Sequence, residues 1–152
     1  MHYWILSGPQ EHWDIGLRHS VWGVKPGSQQ AKQSWLKVKV GDIVFFYATK
    51  PIKGLIGFGI VKNTNTSSVP IWDTKELDHD YGCRIIFYKV FTVFEDHTKT
   101  PISLIKIKPQ VAAALNEVTG EKKRLIINEI HSKWGKRMPD LLWRKTINFQ
   151  NH

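Results

Sequence analysis

Apolar positions along this chain fall mostly into short strand-like runs over residues 1–107, interrupted by two helical stretches, and into helical spacing over the remainder. Residues 2–6 alternate and are rich in aromatic and branched side chains, which predicts a first strand, broken by Ser7-Gly8-Pro9. Residues 10–19 read as a helix with Trp13 and Leu17 spaced i, i+4 on one face. Residues 20–24 form a short extended piece closed by Pro26-Gly27, and residues 28–36 a second helix with Ser28 as its cap. Val40-Gly41-Asp42 turns the chain into a buried strand over 43–48, and a turn at 51–54 leads to its return strand over 55–62. Gly57 and Gly59 share one face of that return strand, where something must approach closely. Residues 63–68 read as a polar loop, 83–94 as a long strand and 102–107 as a shorter one. Two helices follow, over 109–118 and 121–134, with Gly120 between them, and 141–145 adds a last turn. Strands first and helices last predict an α+β domain built on a curled sheet.

At 152 residues the chain fits a single domain spanning 1–152, with a basic helical part from about residue 108. One cysteine, Cys83, excludes an internal disulfide framework and a Cys-rich zinc site. No apolar run reaches the roughly 18 residues of a membrane span. The first residues lack the basic and long apolar parts of a signal peptide. These features predict no membrane partner and a cytoplasmic protein, or a nuclear one in a eukaryote.

Charge changes the picture more. The net charge is +9, and it is unevenly spread. Residues 1–98 carry 11 basic and 9 acidic side chains, whereas residues 99–152 carry 11 and 4. A basic region of this kind favours a polyanionic partner. Lys106 and Lys108 alternate with isoleucines, so they share an outward face. Lys122, Lys123 and Arg124 open a helix whose apolar stripe is Ile126, Ile127, Ile130 and Trp134, and Lys133, Lys136 and Arg137 close it. Arg84 stands among apolar strand residues, where a charge needs a counter-charge; a phosphate would serve.

Seven tryptophans sharpen this reading. The indole is a demanding core filler, because its N–H needs an acceptor, and it is also the best flat surface on which to stack a base. Trp22 and Trp72 stand out because they lie beside Gly or Pro and not in regular apolar repeats. Two such faces would sandwich a flat base; the same residues could instead close the ends of a small barrel. Asp78-His79-Asp80 could serve acid–base or metal chemistry, but on an extended chain His79 points away from the two carboxylates. No P-loop, GxGxxG, GxSxG or HExxH motif is present. The pattern therefore predicts a non-catalytic protein without cofactor or metal.

The run Tyr3-Trp4-Ile5-Leu6, then Trp13, Val21-Trp22-Gly23-Val24 and residues 40–47, followed in order by Gly57-Phe58-Gly59, Pro70-Ile71-Trp72 and Arg84, resembles the EVE domain. The resemblance covers about residues 2–94. EVE domains are PUA-like and related to the YTH readers of modified bases. The resemblance implies a PUA-like curled sheet or small barrel flanked by helices. It also implies DNA or RNA as partner, with one flipped base such as N6-methyladenine or 5-methylcytosine held in an aromatic cage. Carried over by position, Trp22 and Trp72 are cage walls and Leu77 a third apolar wall. Gly23 offers its carbonyl, Gly8 a backbone N–H, and Ser7 marks the strand end. His12 stands where YTH readers place an asparagine, and Gly8 is a second departure, which leaves the identity of the base open. Arg84 falls at a phosphate position. Related domains also serve as the targeting part of modification-dependent restriction enzymes, so a larger enzyme, or a motor or nuclease partner, is implied as well. Two rival readings remain at this point: a PUA-type RNA-binding module indifferent to modification, and an enzyme acting through Asp78 and Asp80.

Overall fold

Alternation in the first strand decides the layering. In the computed structural model, which describes residues 2–24, 29–49, 51–67, 83–94 and 115–134, strand β1 (Tyr3–Gly8) is buried along its whole length. Tyr3 and Ile5 face one core, while Trp4 and Leu6 face another. Helix α1 (Gln10–His19) follows directly, with the Pro9 carbonyl accepting from the His12 and Trp13 amides at 3.0 and 3.2 Å. Ser20 then adopts a left-handed conformation (φ 55°) and turns the chain into β2 (Val21–Val24). Helix α2 (Gln29–Lys37) and strands β3 (Ile43–Ala48), β4 (Gly54–Ser67) and β5 (Cys83–Val93) come next. Strand β6 (Leu115–Val118) and helix α3 (Gly120–Trp134) complete the described chain.

The six strands form one sheet in the order β2-β5-β4-β3-β1-β6. Among the described residues it is a curled half-barrel that ends at β2 and β6. β1 pairs with β3 in parallel over its whole length and with β6 antiparallel over Tyr3 to Leu6, so those four residues are interior to the sheet. The continuous apolar run of β3 is what a strand covered on both faces requires. One face packs against α3 through Ile126, Ile127 and Ile130, together with Tyr3, Ile5, Phe45 and Phe58. The other gathers Trp4, Trp13, Trp22, Phe46, Ile86 and Tyr88. Gly57 and Gly59 admit the ring of Phe46 and the β5 backbone. A Cβ at either would stand 2.4 Å from a β5 carbonyl oxygen (Thr92 and Lys89 respectively) and about 3.1–3.2 Å from Phe46. This is the close approach expected from their spacing.

One residue ties these layers together. Asp42 is buried and accepts from the His2 amide at 3.0 Å, the Lys39 amide at 2.9 Å and Trp4 Nε1 at 3.0 Å. Its own carbonyl accepts from the Val61 amide at 2.8 Å. Gly41, at φ 93°, provides the left-handed turn that brings Asp42 there.

Two expectations are corrected. Residues 63–67 are not a polar loop. After an irregularity near Val61, Asn63 to Ser67 pair with Phe87 to Cys83, because the first half of β5 needs a partner on that side. Residues 115–118 are not the end of a helix. They form β6, because β1 would otherwise present an unpaired edge, and pairing Leu6 with Leu115 and Tyr3 with Val118 satisfies it. The strand expected at 102–107, the first part of the helix expected at 109–118 and the turn at 141–145 lie outside the described residues. Among the described residues no helix is long and apolar enough to cross a membrane.

Candidate functional site

The parallel pair β1–β3 ends at Gly8 and Ala48, and α1 starts just beyond it. Carboxyl ends of parallel strands are where open sheets offer backbone groups to ligands. The fold brings three of the expected base-binding residues together here. Trp22 lies across Gly8 so closely that a Cβ on Gly8 would stand 2.6 Å from its Cη2 and 2.7 Å from its Cζ2. The same position is 3.9 Å from Nδ1 of His12 on α1. Gly23 is the next residue of β2, buried and paired with Ile85. Because β2 ends the sheet, every second residue directs its backbone N–H and C=O away from β5.

Trp22 is placed differently from what its loop-edge context suggested. It is 1% exposed and belongs to the core. One face is stacked on Trp13, with centroids 3.9 Å apart and planes 21° from parallel. Trp13 is itself fixed, since its Nε1 donates to the Tyr47 carbonyl at 2.8 Å and its ring meets Phe46 at 5.0 Å. Ring positions are therefore set from α1 and β3, elements other than the strand that carries Trp22.

Ser7 lies at the same strand end, but alternation directs its side chain to the opposite face of the sheet from Trp22. There it neighbours Tyr47 in register, and its buried Oγ has no hydrogen-bond partner among the described residues. Tyr47 is a residue the sequence reading missed. It is 8% exposed, and burial pushes its phenol above the ordinary value.

Of the expected phosphate ligands, Lys122 and Lys133 are exposed on α3. Lys123 is half-buried and holds its Nζ 4.8 Å from the centroid of the Tyr3 ring, a cation–π contact that pins α3 to β1. Arg124 pairs with Glu121 at 3.3 Å on the solvent side. Arg84 lies on β5, partly buried, with its Cζ 6.0 Å from the centroid of the Trp35 ring. Trp72, Leu77, Asp78, Asp80, Lys106, Lys108, Lys136 and Arg137 lie outside the described residues. Among the described residues no group of three His, Cys, Asp or Glu could hold a metal ion.

Comparison with known proteins fits this geometry. The chain is similar to a hypothetical protein from Leishmania major, with a TM-score of 0.59 at 16% identity, covering 88% of this chain and 96% of that one. It is similar to ASCH from Zymomonas mobilis, with a TM-score of 0.59 at 14% identity, covering 84% and 94%. It also resembles human THYN1, solved in complex with DNA containing 5-methylcytosine, with a TM-score of 0.50 at 12% identity, covering 83% and 95%. No curated protein sequence matches. The family model of the EVE domain matches residues 2–138, well past the stretch in which the resemblance was legible, and so takes in β6 and α3. The chain belongs to the EVE domain family, and its fold is the PUA-like half-barrel of that family.

Proposed function

We propose that this domain binds nucleic acid and reads one flipped, modified base, N6-methyladenine or 5-methylcytosine, with Trp22 and Trp72 as the walls of its cage and without chemistry of its own. The observation that carries this reading is the meeting of Trp22, Gly8 and His12 at the carboxyl end of the β1–β3 pair. An aromatic ring lies there against a backbone without a side chain, and a ring nitrogen stands beside it. THYN1, a structural relative, holds DNA carrying 5-methylcytosine, and the +9 charge of this chain suits the same class of partner.

The energies are compatible. Stacking supplies ~1–3 kcal/mol per base and a caged methyl on the order of 0.8 kcal/mol, against a flipping cost of a few kcal/mol. Phosphate contacts supply the rest. Because Trp22 is 1% exposed, a base reaches its outer face only by opening the site. In a modification-dependent restriction system such a reader would target a larger enzyme.

The test is a titration of the protein with matched oligonucleotides, DNA and RNA, carrying one modified base or none. Tighter binding of one modified ligand supports the reader. Equal binding of modified and plain RNA supports the second reading, a PUA-type RNA module, which the closed position of Trp22 favours. Cleavage that a chelator abolishes would point to the third, an enzyme using Asp78 and Asp80.

A further inference from the structure

Helix α2 and the turn after it leave aliphatic side chains in water where their own packing does not need them. Trp35 and Val38 pack into the core that holds Trp22. Leu36, one residue on from Trp35 and so about 100° further round the helix, is 60% exposed, and Val40 in the following turn is 70% exposed. Single exposed leucines are ordinary on a protein surface. Here, among the described residues, the exposed large hydrophobic side chains are these two, and both fall within residues 36–40. A polar residue at either place would leave the packing on the core unchanged.

Cationic side chains flank the pair. Lys32, one turn before Leu36, and Lys37 and Lys39 beside it are all exposed. Exposed Lys62 of β4 joins them, because the Gly41 amide donates to the Val61 carbonyl at 2.9 Å and so brings β4 alongside the turn that carries Val40. An apolar tip within a basic rim complements a surface that is apolar inside and anionic at its edges. Duplex DNA is such a surface, with stacked bases between two rows of phosphates.

Position links this tip to the candidate base site. Helix α2 lies against β6 at one end of the sheet and reaches β5, next to the other end, where the Trp35 ring centroid stands 6.0 Å from the guanidinium carbon of Arg84. Arg84 pairs with Val24, two residues after Trp22 on β2. That is about 7 Å at the usual strand rise, the length of roughly two base steps of a duplex. Leu36 therefore emerges close to the strand that carries Trp22. Taking a base out of a duplex leaves a gap in the stack, and an apolar side chain inserted between the neighbouring bases fills it. We propose that Leu36 is the wedge that enters duplex DNA where the read base has left the stack, with Val40 behind it and Lys32, Lys37 and Lys39 on the flanking phosphates. The inference rests on the flipped-base reading above and adds the strand state of the ligand.

The probes are a 12-base-pair DNA duplex with one 5-methylcytosine, the same modified strand alone, and the duplex with 2-aminopurine next to the modified base, whose fluorescence rises on unstacking. Because Leu36 is exposed, Leu36→Ala should melt as the parent does. It is expected to weaken duplex binding about tenfold and single-strand binding less than about twofold, and to remove most of the 2-aminopurine rise. Leu36→Met keeps an apolar wedge and should restore most of the duplex affinity. If the parent prefers the modified ligand while Leu36→Ala binds the duplex as the parent does, the wedge is overturned, the reader stands, and the patch is left to an acidic protein partner. Equal losses on duplex and single strand, or a parent that binds the single strand only, overturn the wedge in the same way. A parent that binds the duplex without preference for the modified base defeats the reader, and the comparison of duplex with single strand still decides the wedge. A parent that binds neither form overturns both.

Discussion

Gly8 and Trp22 are in a contact that admits no side chain at position 8, with a Cβ there falling 2.6 Å from the indole ring. Gly8→Ala must therefore displace the ring. The expected cost is about 1–3 kcal/mol of stability, the usual range for overpacking, accompanied by weakened ligand binding. A urea melt beside an oligonucleotide titration checks both. An unperturbed melt would show that Trp22 moves freely, contrary to its packing here.

Trp22→Ala is expected to cost ~3–5 kcal/mol of fold stability, because it empties a core position. Its stacking on Trp13 makes the two truncations non-additive, with a coupling of about 0.5–1.5 kcal/mol in a double-mutant cycle. Trp22→Phe keeps an aromatic face, so it should fold, and it should lose preference for a modified base. A folded Trp22→Phe protein with undiminished preference removes Trp22 from the cage.

Asp42→Ala leaves the indole N–H of Trp4 and two backbone amides without their acceptor. Hydrogen bonds to a charged group carry about 1.5–3 kcal/mol each, so a loss of about 3 kcal/mol or more is expected, with Asp42→Asn milder. Binding at temperatures where the variant is folded should be unchanged, which separates this structural hub from the site.

Stability should fall at high pH. Burial raises the Tyr3 phenol to about 12 and lifts Tyr47 and Tyr88 as well. A folded value above the unfolded one, near 10, means that the unfolded chain gives up its proton first. The contribution of Tyr3 is thus fully present below pH about 10 and is lost as pH rises towards 12. Melting temperature against pH, with phenolate absorbance followed in parallel, checks the window. A midpoint for Tyr3 near 10 would contradict its burial.

The exposed lysines of α3 should act on all ligands alike. If about four to six phosphates are engaged, log K should fall against log salt with a slope of roughly −3 to −5. Lys122→Ala should weaken modified and plain oligonucleotides by similar factors, since phosphate contacts position and do not specify. Lys123→Ala differs. It loosens α3 from Tyr3, so its effect should show first in the melting curve.

Local pattern carried a large share of the fold. The helix over 10–19 and the strand over 43–48 lie where the sequence places them, because the apolar face of the one and the unbroken apolar run of the other are contained within the element itself. The misses share one cause, which is pairing across distance. Leu115–Val118 has no period of its own and becomes a strand only because β1 is open beside it. Residues 63–67 are polar, yet they extend a strand because β5 runs on past the apolar part of β4. The site divides in the same way. Arg84 was legible as a charge among apolar residues. Trp35 carries no such signal in the sequence, since its relation to Arg84 exists only after α2 has packed. The burial of Trp22 was hidden because Trp13, which covers one of its faces, arrives from another element.

The position of β1 has a consequence for how the chain is made. Strand β1 leaves the ribosome before β3 and β6, to which it hydrogen-bonds, and His2 meets Glu117 across 115 positions of sequence. During synthesis Tyr3 and Ile5 must therefore wait for α3, and the edge of β1 for β6, before either is covered. Such long-range closure slows folding, and it gives the C-terminal part a second duty beside its charge. A fragment ending before β6 would expose an apolar sheet face and an unpaired strand edge, the two features that drive a nascent domain to aggregate.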